Sequence, residues 1–209
     1  MGTNGDEDGN YSALHGISAE RAQRELTACL ETAAVGGLRS GHWNGGRRAA
    51  ADPIPSYQLV IAVPDRYRAL TNGLFTWLVG RGPSGQLVSC SLPQEPDGTE
   101  ERVAWLGQAA GAPYSSEVTV EQQVGGIGHP HRDGTGERVY AQTMVGRCAD
   151  RIARVTVEYP GREPEAAVVA RGVWFSQVVM DRSGGRPTVR GFDAGGELVA
   201  WRPFGPVGR

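Results

Sequence analysis

Ile152-Ala153-Arg154-Val155-Thr156-Val157-Glu158-Tyr159 is the stretch that decides the fold. Successive side chains of an extended strand point to opposite faces, so Ala153, Val155, Val157 and Tyr159 share one face and Arg154, Thr156 and Glu158 the other. One side is expected dry and the other wet. The strand reading extends outward over Glu137–Cys148, Glu165–Met180, Thr188–Asp193 and Glu197–Trp201, each bounded by turn residues. The last two are joined by Asp193-Ala194-Gly195-Gly196, the composition of a type I turn closed by a glycine bulge. Such a train predicts a mainly β protein, an antiparallel two-sheet sandwich or a half-open barrel, with one N-terminal amphipathic helix described below.

Composition supports that reading. In 209 residues, 31 Gly and 13 Pro call for many turns and short elements, while 39% hydrophobic content is enough for a core. The formal net charge is -2, without long blocks of one sign, so neither nucleic acid nor an acidic polymer is an expected partner. All 21 basic residues are arginine. Codon bias toward GC accounts for that, a selected role for arginine forks on carboxylate or phosphate being the alternative; either way, lysine-dependent Schiff-base catalysis is excluded. No apolar run approaches the roughly 20 residues that cross a bilayer, so direct membrane insertion is not expected. Met1–Asn10 lacks the basic and apolar regions of a secretory signal.

Residues 1–16 are polar and acidic and read as a disordered tail. Ser18 then stands where a helix cap belongs, and Ala22, Leu26, Cys29, Leu30 and Ala33 recur at helical spacing, with Gly36 and Gly37 as the stop. An amphipathic helix of this kind needs a sheet face to cover. A long Gly, Arg and Pro-rich connector occupies residues 36–56. Tyr57–Val63 reads as an apolar strand stopped by Pro64, and Leu74–Gly80 with Gln86–Leu92 as a hairpin closed around Gly82-Pro83-Ser84-Gly85. Arg102–Ala110 fits either a short helix or a strand. Val118–Val124 begins the second β block, followed by a glycine-rich loop over residues 125–136. Residues 17–205 are expected to form a single β-rich domain, because neither β block has enough apolar strands to close its own core. The alternative is two lobes with a boundary near residue 125.

The segments Gly146-Arg147-Cys148, Ile152, Val155 and Val157, and Gly172-Val173-Trp174-Phe175 resemble the C-terminal portion of uncharacterised extracytoplasmic β-rich proteins of high-GC Gram-positive bacteria. The resemblance spans about residues 137–201. It implies a β-rich domain outside the cytoplasm, often tethered by an anchor, and carries no catalytic residues with it. No anchor or signal is legible in this chain, so a cytoplasmic location stays the alternative.

Three cysteines, Cys29, Cys90 and Cys148, are too few and too scattered for a zinc site. Cys29 faces inward on the helix and Cys90 alternates with Val88 and Leu92. A Cys29–Cys90 bridge would staple helix to sheet; three buried free thiols are the other reading.

Candidates for chemistry are sparse. His129, His131, Asp133 and Glu137 look superficially like a metal-binding run, but Glu137 comes late and no histidine follows His131. No metal is expected there; a solvated loop tip is. No Gly-x-Ser-x-Gly elbow and no phosphate-binding loop occurs, and no cofactor is implied. Trp77, Trp174 and Trp201 read as core on strands. Trp43 sits instead in a polar loop with His42, Arg47 and Arg48, the composition of a recognition patch.

The function expected is that of a non-catalytic binding or interaction module, extracytoplasmic, with a protein partner and with residues 36–56 and 125–136 as its contact loops. The binding residues expected are then Trp43, His42, Arg47, Arg48, His129, His131 and Asp133. The competing readings are an enzyme with a metal or acid-base site near His129, His131 and Asp133, and a structural subunit whose strand edges pair with another chain.

Overall fold

The computed structural model describes residues 12–13, 18–36, 52–64, 75–93, 103–106, 117–120, 122–130, 138–180 and 186–203. Its elements are β1 (Ser12–Ala13), α1 (Ala19–Gly36), a 3-10 turn (Ile54–Ser56), β2 (Gln58–Pro64), β3 (Phe75–Arg81), β4 (Leu87–Pro93) and β5 (Val103–Leu106). There follow β6 (Gln122–Pro130), β7 (Arg138–Arg147), β8 (Arg154–Glu158), β9 (Glu165–Ala166), β10 (Val168–Ala170), β11 (Val173–Met180), β12 (Thr188–Phe192) and β13 (Leu198–Pro203).

The protein is mainly β, with one α-helix among the described residues. Among the described residues the strands form three sheets, in the orders β1-β2-β3-β4-β5, β10-β11-β7-β6 and β13-β12-β8-β9, and none closes into a barrel. Every pairing is antiparallel except β1 with β2, which is parallel. Two expectations change here. Ser12 and Ala13, within the stretch read as a tail, pair with Ile61 and Ala62. Gly125–Pro130, expected within a glycine-rich loop, belongs to β6, with Gly125 opposite Gln142 and Ile127 opposite Tyr140, while residues 131–136 of that expected loop lie outside the described residues. A lobe boundary at residue 125 would therefore fall inside a paired strand.

Helix α1 forms as its sequence dictates. The Ser18 hydroxyl accepts from Arg21 N–H at 3.3 Å, capping the first turn. Ala22, Leu26, Cys29 and Leu30 are buried against Tyr57, Leu59, Ala62, Leu78, Val88, Cys90 and Leu92 of the first sheet. The approach is close because Gly80 has no side chain: a Cβ there would lie 2.5 Å from Leu26 Cδ2. Gln23 adds a polar pin, its amide donating to the Tyr57 carbonyl at 2.8 Å and accepting from Leu59 N–H at 2.7 Å. Cys29 and Cys90 are disulfide-bonded, with Cα atoms 6.6 Å apart.

The opposite face of the first sheet packs on the second. The register of β2 on β3 shifts between Leu59 and Ile61, so Val60 and Ile61 both turn away from the helix. They join Val63, Trp77, Val79 and Leu87 against Val145, Val173 and Phe175. Trp77 and Phe175 meet with ring centroids 5.8 Å apart. Arg147 Nη2 donates to the Gly85 carbonyl at 2.6 Å across the same seam.

Alternation along β7 and β11 builds the next layer. Met144, Trp174 and Val178 face the third sheet, where they pack with Val118, Ile152, Val155, Val157, Tyr159 and Val189. Trp174 is wholly buried, and its indole N–H donates to the Thr119 carbonyl at 2.9 Å. The layers thus run helix, sheet, sheet, sheet, a mainly β sandwich with one N-terminal helix as expected, its stack built from three sheets.

Glu165–Met180, read as one strand, contains a reversal. Val169 pairs with Trp174 and Ala170 with Val173, leaving Arg171 (φ 49°) and Gly172 (φ 71°) as a two-residue turn. Positive φ at both central positions is the geometry that suits a tight hairpin. Only the glycine advertises it in sequence.

Candidate functional site

The outer face of the third sheet is where this chain presents the side chains suited to contact. Its strands are ordered β13-β12-β8-β9, so β13 is an edge among the described residues. Opposite Arg190 of β12 stands Trp201 on one side and Thr156 on the other; opposite Phe192 stand Leu198 and Arg154. These rows face away from the core formed by Val155, Val157 and Val189.

Trp201 is 64% exposed and Leu198 41% exposed, against the expectation that Trp201 is core. A bulge explains the difference. The register shifts between Gly191 and Phe192, so that Gly191 opposes Ala200 while Phe192 opposes Leu198, leaving Val199 as the extra residue. Val199 and Ala200 both pack inward, and Leu198 and Trp201 both emerge. A strict period of two pairs Trp201 with Val199 instead and hides it.

Around the indole the surface is held rather than loose. Arg154 lies over the Phe192 ring with Cζ 3.9 Å from the centroid, a cation–π contact. Arg190 Nε is 2.9 Å from Glu158 Oε2. The hairpin behind β13 is fixed by Asp193, whose Oδ1 accepts from Glu197 N–H at 2.9 Å while Gly196 takes the left-handed conformation at φ 85°. An exposed tryptophan and arginines already positioned by neighbours are the residue types enriched in binding hot spots, and the exposed Leu198 adds apolar area beside them. Such a face offers contact and orientation.

The sequence-derived site residues are distributed differently. His42, Trp43, Arg47 and Arg48 lie outside the described residues, as do His131 and Asp133. His129 lies on β6, a strand paired with β7, in place of the loop tip expected for it. Cys29 and Cys90 are brought together on the far side of the molecule, under α1. Trp201, Leu198, Phe192, Arg154 and Arg190 were not singled out in the sequence as contact residues. The signal available was Asp193-Ala194-Gly195-Gly196, which marks a bulged hairpin, yet its effect on parity shows only once the register is known.

Comparison with protein-family models, with curated proteins and with solved structures gave no match.

Proposed function

We propose that this chain is a non-catalytic binding module whose contact surface is the outer face of the β13-β12-β8-β9 sheet and whose partner is a protein. The observation that carries this reading is Trp201, 64% exposed beside Leu198 on an edge strand. Exposing an indole forgoes roughly 2–3 kcal/mol of burial, and a covering partner recovers it. The Cys29–Cys90 bridge supports work in an oxidising, extracytoplasmic compartment, since such bonds are rare where thiols are kept reduced.

A second reading is favoured by one feature of the same strand. As an edge among the described residues, β13 offers backbone groups that another chain can extend, which is how a structural subunit would use it.

The experiment compares wild-type protein with Trp201→Ala/Leu198→Ser as bait for the extracellular fraction of producing cells. Stoichiometric capture of one protein by wild type and its loss in the double variant support the binding reading. Identical capture by both, with both folded by circular dichroism, contradicts it. Sedimentation of wild type alone distinguishes the subunit reading, which requires self-association that the double variant weakens.

A further inference from the structure

A cleft of about 510 Å³ opens at the seam between the first and second sheets, remote in sequence from the β13 hairpin. Its walls come from three segments: Ser56 and Gln58 where the chain enters β2, Arg81 and Pro83 at the β3–β4 hairpin, and Arg171 at the β10–β11 turn. Val60, displaced by the β2 bulge, lies buried beneath its floor, and Pro83 gives its rim an exposed apolar side. The volume lies within the range of small-ligand sites.

Two guanidinium groups share this cleft, and neither Arg81 nor Arg171 has an ion-pair partner among the described residues. Among the described residues that line it there is no carboxylate, but Asp52 stands at its rim: its Oδ2 would lie 2.1 Å from a Cβ on the lining Gly82, and it is engaged there by Ser84, accepting from the N–H at 2.9 Å and from the hydroxyl at 2.7 Å. Both arginines are delivered by stiff backbone. Arg81 is paired with Gln58 and with Leu87, and Arg171 is held in its left-handed conformation by the hairpin on either side of it. Both side chains are exposed, so each guanidinium is free to turn its fork toward an anion.

We propose that this cleft is a site for a small dianionic ligand, whose oxyanion groups engage Arg81 and Arg171 while its short carbon body lies against Pro83. Arginine forks match carboxylate and phosphate oxygens alike, so the shared chemistry is an oxyanion and the source is read from the probe that binds. The site is independent of the β13 face, and either can fail without the other.

Calorimetric titration with succinate, with inorganic phosphate and with neutral succinamide tests it. The expected result is saturable binding of succinate or phosphate, none of succinamide, and a weakening of about tenfold in each of Arg81→Gln and Arg171→Gly. Glycine is the natural choice at a positive φ, so the second variant removes the guanidinium and leaves the turn its preferred residue. In wild type, the arginine Nε–H resonances of Arg81 and Arg171 should shift with the same anion, a readout that needs no variant. Succinate alone assigns a dicarboxylate, and phosphate alone a phosphoryl group. No saturation by either anion up to about 10 mM, or equal affinity in Arg81→Gln/Arg171→Gly, overturns the proposal.

Discussion

Gly146 shows how much one position can carry. A Cβ built there would lie 1.8 Å from the Thr119 carbonyl oxygen and 2.6 Å from the Trp174 ring, where the indole N–H meets that same carbonyl. Replacing Gly146 with alanine therefore forces backbone and ring apart, and urea unfolding should show a loss of about 2–3 kcal/mol. Cys148, two residues on, makes a different prediction. Burial, with Asp150 adding to it, pushes its thiol from 9.0 up to about 11. The folded state thus favours the neutral thiol: its contribution to stability is complete below pH 9 and is lost as pH climbs toward 11. Tyr159 is raised as well, by burial first and then by Glu165, so alkaline destabilisation continues above that window. Melting temperature should fall between pH 9 and 11, and Cys148→Ala should flatten that fall. At pH 8 the folded protein should leave a thiol reagent unconsumed. Unfolded without reductant it should consume one equivalent per chain, the Cys148 thiol; consumption of three would contradict the Cys29–Cys90 bond.

At the level of elements, the helix and the β3–β4 hairpin are legible from sequence because period and punctuation agree. Ser18 caps, the apolar stripe packs, and Gly82-Pro83-Ser84-Gly85 closes its turn with Gly85 N–H on the Gly82 carbonyl at 2.8 Å. The strand at Arg154–Glu158 follows its alternation at Val155 and Val157, although Thr156 is buried on the face read as wet, with Arg190 and Ala166 as its cross-strand neighbours. What sequence missed was set by tertiary register. Gly125–Pro130 is a strand because β7 supplies a partner, and no local propensity of a Gly-rich run announces that. Trp201 was misplaced by one bulged residue. The disulfide belongs to this scale too, since it ties α1 to β4 across a separation of 61 residues. Removing it in Cys29→Ala/Cys90→Ala should cost about 2–4 kcal/mol, at the upper end because the closed loop is long. A chemical-denaturation midpoint unchanged from wild type would show that the helix is held by packing and the Gln23 bridges alone.

The whole molecule is a stack in which each sheet has a defined task. The first carries the helix on one face and the second sheet on the other; the second sheet is buried between its neighbours where Val145 and Met144 face opposite ways. That leaves the third sheet as the outermost layer, with one face in the core and one presented outward. The mainly β class with an N-terminal helix was readable from the strand train, whereas the number of sheets was not, because alternation reports that a face is buried without naming what buries it. The outward face, with Trp201 at its edge, is the centre of the functional account. A photoreactive phenylalanine analogue placed at position 201, in protein produced in its native cells, measures that claim most directly. The account predicts a cross-link to one protein at high yield, absent when the same group replaces the exposed Arg162. No cross-link at position 201, or the same diffuse set of products from both positions, would contradict it.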